Sequence, residues 1–195
     1  MLAQQRMVIV LVGTMVVSSP GSTGAQQERQ QDRQPAATGL VREVRAATAD
    51  FRDVRFAEAA GYVSMDSCVS GPEEGAMGVH FANGALVGDG VLEASRPELL
   101  VYEQRGNRLR LLGVEYLVFA EAWHTHTPSP PVLMGQQFHY VGAPNRYGGP
   151  AFYELHVWAW KDNPHGMFVD WNPNVSCEEF VPEAASTSAG GHAGH

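Results

Sequence analysis

Lysine is nearly missing from this chain. Lys161 is the only one, and Asp and Glu outnumber Lys and Arg by 21 to 13, for a formal net charge of −8. Phosphate backbones are held by clustered cationic side chains, so nucleic acid is excluded as a partner. No apolar run approaches the roughly 20 residues that cross a bilayer, so no membrane span is expected. There is no G-x-S-x-G elbow, no P-loop, no G-x-G-x-x-G after a strand and no H-E-x-x-H, so serine-nucleophile and nucleotide chemistry lack local support. No internal repeat or heptad pattern is present. Cysteine is scarce, with only Cys68 and Cys177.

The ends of the chain are distinct from its middle. Arg6 precedes a short apolar run, Met7 to Ser19, and then the small-residue site Thr23-Gly24-Ala25. This order is that of a signal peptide, residues 1–25, cleaved before Gln26. It implies export to the periplasm or the extracellular space. In such a compartment the two cysteines pair, Cys68 with Cys177, the alternative being two separate buried thiols. The bridge would close a loop of about 110 residues, which the chain-entropy account values at roughly 4–5 kcal/mol. Residues 26–39 are polar and without large apolar side chains, and residues 183–195 are small, polar and glycine-rich. Neither buries enough apolar area to offset chain entropy, so a disordered linker and a disordered tail are expected. One globular domain is left, residues 40–182.

Within it, Leu40 to Ala60 reads as one helix. Val44, Ala47, Phe51 and Val54 recur at three and four, with Gly61 as the stop. Beyond Gly61 the pattern turns to strands: Met77–Ala82, Leu99–Glu103, Leu109–Phe119, Gln137–Val141 and Ala151–Trp160. Arg105-Gly106-Asn107 is a hairpin turn, and Ser70–Gly75, Trp123–Gly135 and Asn145–Pro150 are loops. The fold expected is α+β: one N-terminal helix packed on a mostly antiparallel sheet, a small sandwich or barrel-like, with one disulfide.

Polar residues sit where apolar ones belong. Alternation along Leu109–Phe119 groups Leu109, Leu111, Gly113, Glu115, Leu117 and Phe119 on one face, the more apolar one. Glu115 therefore points inward and needs a cation, a metal or a proton. His156 lies in the apolar strand Tyr153–Trp160 and shares a face with Glu154. His80 lies in Gly78-Val79-His80-Phe81, where Gly75 and Gly78 permit close backbone packing. Two imidazoles and one carboxylate, His80, Glu115 and His156, form a shell for zinc, iron or copper with an open position. Glu154 and His139 are candidates for the second ligand sphere or for acid–base catalysis. The structural alternative pairs Glu115 with Arg96, Arg110 or Arg146 and leaves the histidines hydrogen-bonded in the core. His124-Thr125-His126 could chelate, but from a proline-rich loop. His165 is expected to be exposed, and His192 and His195 to be tail residues.

The blocks Met77-Gly78-Val79-His80, Val114-Glu115-Tyr116 and Leu155–Cys177 (LHVWAWKDNPHGMFVDWNPNVSC) resemble an uncharacterised family of exported bacterial proteins. The resemblance covers about Ala46 to Cys177. It implies that His80, Glu115, His156 and both cysteines belong to the family's pattern, and it supplies no activity. Lys161–Cys177, with its Asn163-Pro164 and Asn172-Pro173 turns, is expected to cap the sheet or to line a ligand site. Three functions follow: a metal-dependent enzyme acting on a small molecule; a non-catalytic protein binding a metal or a small apolar ligand, in that pocket or in one lined by Tyr116, Trp158 and Trp160; or a structural, envelope-associated domain.

Overall fold

A computed structural model describes residues 38–71 and 73–182. The expected signal peptide, nearly all of the expected linker, and the tail with His192 and His195 lie outside the described residues. Helix α1 covers residues 38–47, so the helix has begun two positions ahead of the boundary at Leu40.

A single helix from Leu40 to Ala60 does not form. After α1 the chain passes through a 3-10 turn, Asp50–Arg52, into a short helix α2, Val54–Ala59. Side chains cause the break. The Thr48 hydroxyl turns back to the Val44 carbonyl at 2.7 Å, a local bond that competes with helix continuation. Asp53 adopts an extended backbone, and its carboxylate accepts the Arg55 N–H as the N-cap of α2. The interruption also exposes the Phe51 carbonyl, which accepts the Tyr102 hydroxyl at 2.7 Å. The chain leaves α2 at Gly61, where the sequence places the stop.

The strands are β1 (Val63–Gly71), β2 (Gly75–Ala82), β3 (Leu99–Arg105), β4 (Arg108–Phe119), β5 (Val132–Leu133), β6 (Gln136–Gln137), β7 (His139–Val141) and β8 (Phe152–Val157). Short helices α3 (Gly84–Val87) and α4 (Ala120–His124) follow β2 and β4. Six strands make one sheet in the order β1-β2-β3-β4-β8-β7, with every neighbouring pair antiparallel. The sheet curls into a half-barrel. The α+β expectation therefore holds, with one curled sheet in place of a sandwich. The proline-rich stretch Trp123–Gly135 is less irregular than expected, since α4 runs into it and β5 pairs with β6 just beyond.

Strand β1 is absent from the sequence reading, which gives Ser70–Gly75 as loop. Most of β1 is exposed or half-buried, Asp66 has a φ of 51°, and the register with β2 shifts twice. An irregular edge strand has no buried face to enforce alternation. The Cys68–Cys177 disulfide forms, with a Cα–Cα distance of 5.7 Å. It ties this edge to the segment after β8.

The two faces of the sheet differ in kind. One carries Val79, Phe81, Leu100, Tyr102, Val114, Tyr116, Leu155 and Val157 and packs against Leu40, Val41 and Val44 of α1. On β4 the face changes partway along. Val101 pairs with Gly113 but Tyr102 pairs with Leu111, so Leu112 is an extra residue, a bulge. Before it, Leu109 and Leu111 face the helices; after it, Val114, Tyr116 and Val118 do. The grouping of Glu115 with Leu109 and Leu111 is thereby corrected. Glu115 is buried, but on the side away from α1, with Leu117 and Phe119. The tight strand spacing here depends on two glycines. A Cβ on Gly78, whose φ is +111°, would strike the Tyr102 carbonyl, and one on Gly113 would strike that of Val157.

Candidate metal centre

Register delivers three polar side chains to the face opposite the helices. Glu115 on β4 and His156 on β8 are direct cross-strand partners. His80 on β2 pairs with Val101 on β3, which pairs with Gly113 on β4. The curl of the sheet folds His80 over β3 towards Glu115. Each of the three residues is only 1% exposed, which keeps bulk solvent from their polar atoms.

Their atoms converge. His80 Nε2 lies 3.2 Å from Glu115 Oε2, His156 Nε2 lies 3.6 Å from the same oxygen, and the two Nε2 atoms are 3.4 Å apart. Distance alone would make ion pairs of these contacts. Direction argues otherwise: neither Glu115 oxygen receives an aligned donor. A buried carboxylate without donors is costly. A tetrahedral ion bonded at about 2.0–2.1 Å holds its ligands about 3.3–3.4 Å apart, which is the size of this triangle. The donor set, two imidazoles and one carboxylate, is that of an open divalent site.

Around the trio stands a second ring of charge. Asp170, between β8 and the disulfide, brings Oδ1 to 3.4 Å from His156 Nδ1 and 3.2 Å from His139 Nδ1. Asp170 thus orients His156 with Nε2 turned towards His80 and Glu115. Glu154 is 1% exposed and lies on the same face. Arg146 reaches to 4.0 Å from Glu154 Oε1 and stacks over the Tyr147 and Trp171 rings, 5.4 Å from each centroid. Glu154, His156 and Asp170 also have ligand atoms within 4.8 Å of one another.

The electrostatics reflect this crowding. Burial works to raise the Glu115 carboxyl, but the charge of His156 and the contact with His80 outweigh it and hold the group below the usual carboxylate range. Burial works to lower His156, and the Glu115 charge, then Asp170, push it up to about 9. Glu154 is raised, first by burial and then by the Glu115 charge, so it retains its proton more readily. Asp170 is lowered, its burial outweighed by His156. Glu115 and Asp170 therefore face two cationic groups, Arg146 and a readily protonated His156, whose place an ion could take.

The other sequence expectations divide. Glu115 does not pair with Arg96, whose partners are Asp89 and Glu93, nor with Arg146, which approaches Glu154; no ion pair joins it to Arg110 among the described residues. His139 is the cross-strand partner of Glu154 and brings Nδ1 to 3.2 Å from Asp170 Oδ1, but it is not among the three converging ligands. His124 does not chelate with His126, because its ring nitrogens meet the Thr127 carbonyl at 2.8 Å and the Tyr153 hydroxyl at 2.9 Å. His165 is exposed, as expected. Tyr116, Trp158 and Trp160 do not share a pocket: Tyr116 and Trp160 pack on the helical side, and Trp158 with Ala76, Val101 and Leu112 on the other.

Asp170 escapes the sequence reading altogether. It sits in a turn-rich segment without periodicity, and only the return of that segment over β8 brings it to His156. The Trp158 indole N–H donates to the Val169 carbonyl at 2.6 Å, and Asn172 bridges in backbone pairing to Ala76. The expected cap is therefore real, and it carries a site residue. Beside the cluster, Glu115 also forms part of the wall of an apolar chamber of about 210 Å³. No known family model, curated protein or solved structure matches this chain.

Proposed function

We propose that His80, Glu115 and His156 bind one divalent transition metal, zinc being the best fit, and that the protein is an exported metal-dependent enzyme acting on a small molecule. The observation that carries this reading is the buried triangle of ligand atoms, 3.2, 3.4 and 3.6 Å on its edges, around a carboxylate with no aligned donor. The disulfide is compatible with export. Three protein ligands leave a coordination position, where such an ion lowers the pKa of bound water or polarises a substrate oxygen. Asp170 fixes the His156 ring, and Glu154, retaining its proton next to Glu115, is the candidate acid–base group. His139, one residue further out, supports Asp170.

Metal content tests the proposal. The protein is prepared without an affinity tag and with His192 and His195 replaced by Ala, so that tail imidazoles do not contribute. Elemental analysis is expected to give about one equivalent of metal per chain, lost in Glu115→Gln. A chain that stays metal-free after exposure to zinc, iron and copper contradicts it. The burial of all three ligands also suits a non-catalytic metal carrier. Exogenous azide or cyanide separates the two, since it binds an open position and not a closed one.

A further inference from the structure

The chamber beside Glu115 is built from apolar side chains on several elements. Leu99, Leu117, Phe119 and Phe152 project from the sheet face that carries the ligands, and Val87 of α3 and Pro150 flank it on the outer side. Asn145 lines it too, but its amide is engaged within its own loop: it donates to the Gly149 and Pro150 carbonyls at 3.1 Å each and accepts the Tyr147 N–H at 3.1 Å. Glu115 is the one carboxylate in the wall. The same side chain thus belongs to the metal triangle and to a mainly apolar space, whose other polar linings are Asn145 and Tyr147. A volume of about 210 Å³ equals that of about seven waters at about 30 Å³ each, room for a short aliphatic chain or a single ring.

A site for sugars, nucleotides or peptides offers many hydrogen-bonding groups, because each polar group of the ligand must be paired when water is displaced. This chamber offers almost none besides its acidic end. Resting on the metal reading above, we infer that the chamber is the substrate pocket of the metal centre, and that it takes a small, mainly hydrocarbon molecule bearing one polar, metal-seeking group. The polar group points to Glu115 and the ion, and the hydrocarbon part is held by Leu99, Leu117, Phe119 and Phe152.

Cobalt(II) in place of zinc makes the ion visible by its ligand-field absorption. Cobalt-loaded protein is titrated with acetohydroxamic acid and with hexanohydroxamic acid, which share the metal-binding group and differ by four methylenes. Each buried methylene contributes about fourfold in affinity, so the longer acid is expected to bind about 250-fold more tightly. Val87→Trp, which fills the chamber from α3 without touching a ligand, is expected to erase the difference while acetohydroxamic acid still shifts the spectrum. Equal affinities of the two acids for wild-type protein overturn the pocket and leave the metal site standing. Equal binding of hexanohydroxamic acid to metal-free protein breaks the link between chamber and ion. Failure of cobalt to bind at all removes the metal reading and the inference with it.

Discussion

The helical face of the sheet and its opposite face bury polar groups in contrasting ways. On and beside the helical face, four tyrosines are buried and the hydroxyls of all are paired: Tyr62 with the Pro97 carbonyl at 2.7 Å, Tyr102 with Phe51 at 2.7 Å, Tyr116 with Ala94 at 2.6 Å and Tyr153 with His124 Nε2 at 2.9 Å. On the opposite face, His80 Nδ1, Glu154 Oε2 and both Glu115 oxygens lack an aligned partner. The first face is arranged for folding. The second gathers buried histidines and carboxylates that could hold a metal ion.

The largest effect expected from this contrast is that of the metal itself. Zinc at a thousandfold excess over its Kd adds about 4 kcal/mol of stability, or about 8–16 °C in Tm for a chain of this size. Calorimetry should show the shift in wild type and not in Glu115→Gln. Next comes Leu155→Ala on the helical face. It should cost about 3 kcal/mol through the cavity it leaves and keep the metal stoichiometry, as denaturant unfolding and elemental analysis would report. If Leu155→Ala also emptied the metal site, the two faces would not be independent.

Asp170→Asn sharpens the contrast within the second face. It keeps the shape but removes the charge that orients His156, so metal affinity should fall about 10- to 100-fold. A chelator-competition titration measures it. Tyr116→Phe is the counterpart on the helical face. Losing one satisfied hydrogen bond and leaving the Ala94 carbonyl without it should cost about 1 kcal/mol and leave metal affinity unchanged.

Glu98 gives an effect that shows only through pH. It is buried near Tyr62 and Tyr116 and accepts the Leu117 N–H at 3.1 Å. Burial pushes its carboxyl from 4.5 up to about 8. A folded-state value above the unfolded one stabilises fully below 4.5 and loses that contribution as pH rises through about 8. Glu98→Gln removes the dependence, so its stability relative to wild type should rise between those values. Thermal melts across that range decide it, and a flat difference would contradict the assignment.

How far the sequence foretells this arrangement depends on how each residue reaches its place. His156 and Glu154 are legible because β8 is a regular strand whose alternation survives folding. His80 is legible for the same reason on β2. Glu115 is expected to be buried and is, yet the face assigned to it is wrong. A single bulged residue, Leu112, inverts the alternation of β4 after Leu111, and no local signal marks it, because bulges are set by the partner strand. The α1–α2 break was written in Thr48 and Asp53, both good local competitors of a helix, although the apolar spacing ran through them. Asp170 was not legible at all. Its approach to His156 depends on a segment without periodicity, held by the Cys68–Cys177 bridge and by bonds to the backbone of β2 and β8.

The central claim is that Glu115 and the two histidines hold an ion between them and are not simply hydrogen-bonded to one another. X-ray absorption at the zinc edge of the loaded protein addresses it directly. The account requires about four nitrogen and oxygen neighbours at about 2.0 Å, no sulfur, and the outer-shell scattering of two imidazoles, with one imidazole lost in His80→Ala. A six-coordinate shell without imidazole scattering, unchanged by that substitution, would place the zinc elsewhere and return His80, Glu115 and His156 to the core.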